Sequence, residues 1–156
     1  MGPAPFRYVP GSGSPVEAAA FSPVFKVFAT CIVGGCAAWM AQLFTSGALG
    51  TGKTTGVVWF LAGLVMMAWT WWHIMRSRTR ITSEGLHQRW IWDKDMAFDD
   101  LAYGKLIRIR GLEWLIAPRL YVRTLMGKFT VFYGATPELI TEFERIVREL
   151  REFRQL

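Results

Sequence analysis

Apolar positions follow two different patterns along this chain. From Val27 to Phe44, 18 residues pass without a formal charge, and from Thr54 to Met75 another 22 do so with His73 as the only titratable group. A helix needs about 20 apolar residues to cross a hydrocarbon core. Only nine residues, Thr45 to Lys53, separate the two runs. The pattern predicts a transmembrane helical hairpin over residues 24–76, with spans at about 25–44 and 55–75. The Pro-, Gly- and Ser-rich stretch before it, residues 1–23, predicts a disordered tail with no cleavable signal pattern.

Beyond Arg80 the apolar period shortens to two. Arg80-Ile81-Thr82 is strand-prone, and Glu84-Gly85 is a turn signal. Leu86 to Trp92 alternates, with Leu86, Gln88, Trp90 and Trp92 on one side. Asp93-Lys94-Asp95 turns the chain, and Phe98-Asp99-Asp100-Leu101 reads as a short connection. Leu106 to Arg110 alternates again, and Trp114-Leu115-Ile116 is a short run closed by Pro118. Leu120–Leu125 and Lys128–Tyr133 flank Met126-Gly127 as a hairpin. The chain closes on a helix: Thr136 is the N-cap, Pro137 the first helical residue, and Leu139, Phe143, Ile146, Leu150 and Phe153 form an apolar stripe. Residues 77–156 thus read as an α+β domain of six or seven antiparallel strands followed by one amphipathic helix.

Charge orients the hairpin. Arg7 and Lys26 lie before it, Lys53 alone lies in its loop, and Arg76, Arg78 and Arg80 follow at once. The positive-inside rule then puts both ends in the cytoplasm. Trp71 and Trp72 beside that basic cluster, with Trp59 at the other interface, fit rings that favour the headgroup layer. The net charge of +6 and pI near 9.7 suit an anionic membrane face. Neither span holds Asp, Glu, Lys or Arg at mid-depth, which argues against a proton path, channel or transporter. Gly34/Ala38 and Ala37/Ala41 are small-xxx-small pairs that let helices approach closely, either within the hairpin or onto another membrane protein or second copy. Cys31 and Cys36 fall about 140° apart on a helix and read as inert packing residues.

Gly47 to Thr54 matches the phosphate-binding pattern GxxxxGK[ST] at every specified position. That loop needs a strand before it and a parallel sheet around it. A span precedes it here and an all-apolar segment follows, so a turn between two spans is the preferred reading and nucleotide binding a distant alternative.

The body resembles the bacterial pleckstrin-homology-like (bPH) family. The resemblance rests on Ile81-Thr82-Ser83-Glu84-Gly85-Leu86, on Phe98-Asp99-Asp100-Leu101 before a strand, on the Tyr121–Tyr133 hairpin around Gly127, and on the closing helix. It spans about residues 25–153, and many members of that family carry two spans just before the domain. It implies a small, bent PH-like β-barrel or sandwich capped by a C-terminal helix, in a bacterial inner membrane. It implies no single activity, because such folds act as platforms for lipids, peptides or proteins.

Candidate chemistry is sparse. His87 is the only histidine of the body, and Ser83 four residues earlier makes no convincing nucleophile–base pair. Asp93, Asp95, Asp99 and Asp100 lack calcium-loop spacing, and no cofactor or metal is expected. Arg108 and Arg110 share a face of one predicted strand, and Arg119 and Arg123 share a face of another. Together they can form a cationic patch for lipid phosphates or an acidic partner. No recognition helix or RNA-binding aromatic motif is present, which argues against nucleic acid. The expectation is a non-enzymatic membrane protein acting as an accessory subunit, scaffold or regulatory module of a larger complex. An anionic-lipid binder is the alternative. Membrane lipids, and another membrane protein or further copies of this chain, are the expected partners.

Overall fold

The computed structural model describes residues 4–47 and 54–154 of the chain. In chain order the elements are β1 (Val16–Ala19), α1 (Pro23–Thr45), α2 (Thr54–Arg76), β2 (Arg78–Ile81), β3 (Gly85–Arg89), β4 (Lys94–Ala97), β5 (Leu101–Ile107), β6 (Arg119–Thr124), β7 (Phe129–Tyr133) and α3 (Pro137–Arg154). They form two compact units: the helical hairpin of residues 23–75, and a sheet domain made of the chain up to Ser22 together with everything from Arg76 onward.

Both hairpin helices are long and apolar enough to cross a membrane. They meet along a narrow seam. The less exposed positions are Val24, Phe25, Lys26, Ala29, Val33, Cys36, Met40 and Leu43 on α1, and Val57, Phe60, Leu64, Met67, Thr70, Trp71, His73, Ile74 and Met75 on α2. From Ala29 to Leu43 and from Val57 to Met67 these positions recur every three or four residues, which puts them on one face of each helix. Trp71 Nε1 donates to Thr30 Oγ1 at 2.9 Å. Lys26 Nζ donates to the Met75 carbonyl at 3.2 Å, satisfying one of the open carbonyls that end α2. The remainder of both helices is exposed, as lipid-facing surfaces are. Of the GxxxxGK[ST] stretch, residues 48–53 lie outside the described residues. The element before it is the helix α1 and not a strand.

The sheet domain holds two separate antiparallel sheets, in the orders β1-β2-β3-β4 and β5-β6-β7. No closed barrel forms. One corner is instead fastened by side chains reaching the edge strand β7: Thr79 Oγ1 donates to the Tyr133 carbonyl at 2.6 Å and Lys94 Nζ to the Val131 carbonyl at 3.1 Å. Such bonds satisfy an edge that would otherwise expose a row of free acceptors. Inner-face residues Ile81, Leu86 and Met96 of one sheet, and Leu120, Val122 and Phe132 of the other, share a core with Leu139, Phe143, Ile146 and Leu150 of α3. Gly134, just after β7, lets α3 approach the sheet, since a Cβ there would lie 2.6 Å from Phe143 and 3.1 Å from Leu139. The N-cap forms as expected, with Leu139 N donating to Thr136 Oγ1 at 3.5 Å. The β6–β7 turn places Gly127 at φ 84°.

The expected disordered tail is a correction. Val16–Ala19 forms a strand paired to β2 in the register Val16↔Ile81 to Ala19↔Arg78. Phe6 and Tyr8 are 3% and 1% exposed, packed on Phe98 with ring centroids 6.1 and 5.2 Å away. Glu142 of α3 accepts hydrogen bonds from the Tyr8 hydroxyl and from Gly11 N. Arg154 fixes the start of the segment, donating to the carbonyls of Ala4 and Leu101. Burial and the Glu142 carboxylate raise the Tyr8 phenol above its ordinary range. The sheet domain is therefore discontinuous in sequence, and the helical hairpin is inserted between two paired strands.

Candidate functional site: the outer sheet faces

Residues directly opposite in an antiparallel pair project from the same face. The register of the three-stranded sheet therefore defines its outer face as three rows: Tyr103–Arg123–Phe129, Lys105–Tyr121–Val131 and Ile107–Arg119–Tyr133. A shift in pairing between Leu101 and Tyr103 sends Leu101 inward while Tyr103 turns out. Four of these nine residues are aromatic, three are cationic, and none is acidic. Phe129 is 65% exposed, and Met126 at the adjoining turn is 92% exposed. The Tyr121 and Phe129 rings stack 6.1 Å apart. The opposite face of the same sheet is spent on the core.

The four arginines expected to form one patch are divided. Arg119 and Arg123 share the outer face of β6. β5 ends at Ile107, so Arg108 and Arg110 do not sit on a strand. Past that point the chain turns, with Leu112 N bonded to the Ile109 carbonyl and Gly111 at φ 86°. Arg108 leaves the sheet face to pair with Glu144 on α3. Arg110 is exposed in that loop.

The four-stranded sheet carries a second basic face that the linear sequence conceals. One row reads Glu17, Arg80, His87, Asp95, and the next sets Arg78 directly opposite Arg89. Arg78 reaches Glu17 at 3.6 Å, and His87 Nδ1 lies 2.5 Å from Asp95 Oδ1. Arg78, Arg80, His87 and Asp95 stand out in the sequence, whereas Arg89 opposite Arg78 and the pairing of His87 with Asp95 emerge from the register alone. Trp71, Trp72 and Arg76 lie in the last turns of α2. Among the described residues no group of three or more His, Cys, Asp or Glu is placed to hold a metal.

The small residues of α1 do not serve the hairpin seam. Gly34, Ala37, Ala38 and Ala41 are all exposed, and a Cβ on Gly34 would meet nothing within 4 Å. No family model, curated protein or solved structure matches this chain.

Proposed function

We propose that this chain is a non-enzymatic membrane protein whose sheet domain is an interaction module, an accessory subunit or scaffold within a larger membrane complex. The outer face of the three-stranded sheet carries the reading. It sets Tyr103, Tyr121, Phe129 and Tyr133 among Lys105, Arg119 and Arg123 without a carboxylate. Aromatic residues and arginine are enriched at protein interfaces, and an uncovered apolar patch of this kind marks an interaction site. The basic flank Arg76, Arg78 and Arg80 supports a cytoplasmic domain with both chain ends inside. Antiparallel sheets packed with a C-terminal helix are compatible with a PH-like platform, and a bacterial inner membrane follows from that resemblance. A photo-crosslinking residue at Phe129 should capture one membrane-protein partner in cells, and one at Glu152 on α3 should not. Tyr103→Ser with Phe129→Ser should lose that partner while the domain melts as before. Unchanged co-purification would refute the reading.

A second reading has its own observation. Arg78, Arg80 and Arg89 gather on the outer face of the other sheet, where Glu17 is the only carboxylate among the described residues that pairs with any of them. That face fits anionic headgroups. Replacing the three with Gln should strip anionic lipid from the purified protein, as read by lipid mass spectrometry. Equal lipid content would exclude it.

A further inference from the structure

At the fastened corner of the sheet domain, two cations lean on one aromatic ring. Lys94 Nζ lies 5.5 Å from the Tyr133 ring centroid, and Arg119 Cζ lies 5.5 Å from the same centroid. The two charges are thus no more than about 11 Å apart. Lys94 also lies over the Trp90 ring at 5.5 Å. Phe21 closes the cluster, 5.9 Å from Trp90 and 5.4 Å from Tyr133. Neither cation is ion-paired to a carboxylate among the described residues. Lys94 spends one of its three donors on the Val131 carbonyl. Two buried N–H groups here, Arg119 Nε and Trp90 Nε1, have no acceptor. Gln88, the cross-strand partner of Lys94, is 1% exposed with both amide atoms unpaired.

Orphaned donors in a half-buried place are costly, and two cations beside one ring repel each other. Burial alone already lowers the Lys94 pKa. A bound anion offsets the repulsion between the two cations. The remaining N–H groups of the Lys94 ammonium and the Arg119 guanidinium suit a group offering several oxygens and about one to two negative charges, which is a phosphate. A single carboxylate has only two oxygens to share between the separated cations. Phe21 is followed by Ser22 and then by Pro23, where α1 begins, so the cluster includes a residue that leads directly into the first span.

We propose that Lys94 and Arg119, beside the Tyr133 and Trp90 rings, bind a phosphate group, either of a phospholipid head or as the free anion. This site shares Arg119 and Tyr133 with the edge row of the docking face described above, but the variants that test it are at Lys94, which lies on the other sheet, so the two readings fail separately.

The experiment uses the full chain, labelled with ¹⁵N-arginine, in maltoside micelles. The Arg119 Nε–H resonance, assigned by its loss in Arg119→Lys, is followed against added inorganic phosphate or phosphatidylglycerol, with sulfate-free chloride holding ionic strength constant. A saturable shift with phosphatidylglycerol alone identifies a lipid head, and an equal shift with inorganic phosphate identifies the free anion. Either result is expected to weaken roughly tenfold in Lys94→Gln, the loss of one charge-assisted contact. Lys94→Arg should restore it, which separates loss of charge from loss of fold. No shift with either probe overturns the site, and so does a shift that Lys94→Gln leaves unaltered.

Discussion

Glu142 holds the N-terminal segment down, and its removal can be read at a single peptide bond. The carboxylate is 9% exposed and accepts from the Tyr8 hydroxyl and from Gly11 N at 3.1 Å. Arg7 is exposed, but its neighbours Phe6 and Tyr8 are buried, so trypsin can seat the bond after Arg7 only when the segment lifts. Hydrogen bonds to a charged acceptor contribute about 1.5–3 kcal/mol each, and water recovers part of this once the segment opens. We therefore expect Glu142→Ala to ease opening by about 2 kcal/mol, or roughly 30-fold. Where opening and closing are fast relative to cleavage, the cleavage rate follows that population directly. Release of the Met1–Arg7 peptide, timed by mass spectrometry on the full chain, should accelerate by about that factor. Tyr8→Phe should give a smaller rise, about fivefold for one bond at about 1 kcal/mol. In the Glu142→Ala background it should add little, because the two changes remove the same bond. Wild-type cleavage as fast as that of the urea-unfolded chain would refute the packed segment. An unchanged rate in Glu142→Ala would refute the role of the carboxylate.

Three further outcomes are expected. The raised Tyr8 pKa means that the folded domain favours the neutral phenol, so its contribution is complete below the ordinary tyrosine value of 10.0 and is lost as pH rises past it. Thermal stability should fall above that pH, and Tyr8→Phe should flatten the fall. Gly85→Ala would put a Cβ 2.3 Å from the Met96 carbonyl oxygen, forcing β3 from β4, and should cost about 1–3 kcal/mol in denaturant unfolding. Gly34→Ile should leave the hairpin intact, whereas Met40→Ala in the seam should loosen it. Distances between spin labels on the two helices measure both, and a Gly34→Ile hairpin that separates would contradict the seam.

Some elements announce themselves locally. The two hairpin helices are legible because each is an uninterrupted apolar run long enough to cross a membrane. α3 is legible because Leu139, Phe143, Ile146 and Leu150 repeat at helical spacing behind a Thr-Pro start. The β6–β7 hairpin declares itself through Gly127. What escapes is whatever depends on a distant partner. β1 is four small or polar residues in a Pro- and Gly-rich stretch, and its pairing partners arrive about 60 residues later. Leu106 to Arg110 alternates like a strand, yet the turn at Gly111 and the pull of Glu144 end β5 at Ile107. The aromatic and basic face is half-legible. Arg119, Tyr121 and Arg123 alternate in plain view, while the shifted pairing after Leu101 hides Tyr103, Lys105 and Ile107. Arg89 faces Arg78 only through the register of β2 on β3.

The insertion of the helical hairpin between β1 and β2 separates this architecture from a hairpin that simply precedes a domain. β1 and β2 run antiparallel up to Ala19 and Arg78, and Ala20 N donates to the Ser77 carbonyl at 3.3 Å. The two points at which the chain leaves the sheet domain are therefore about one strand spacing apart, roughly 5 Å. A turn of about two to five residues bridges such a gap in ordinary hairpins. Replacing residues 23–75 by a short Asn-Gly turn should thus leave a soluble domain with its sheets, its core and the Tyr8–Glu142 bond in place. A fragment beginning at Ser77 keeps six strands and α3 but loses β1, Phe6 and Tyr8. It exposes the edge of β2 and the core around Phe98, and removal of two buried aromatics costs about 3–5 kcal/mol each, which is comparable to the whole stability of a domain this size. Amide NMR spectra of the two polypeptides decide the matter. Dispersed peaks from the turn-linked chain and collapsed ones from the fragment are expected. A fragment from Ser77 that folds as well as the turn-linked chain would show that the N-terminal segment decorates the domain without completing it.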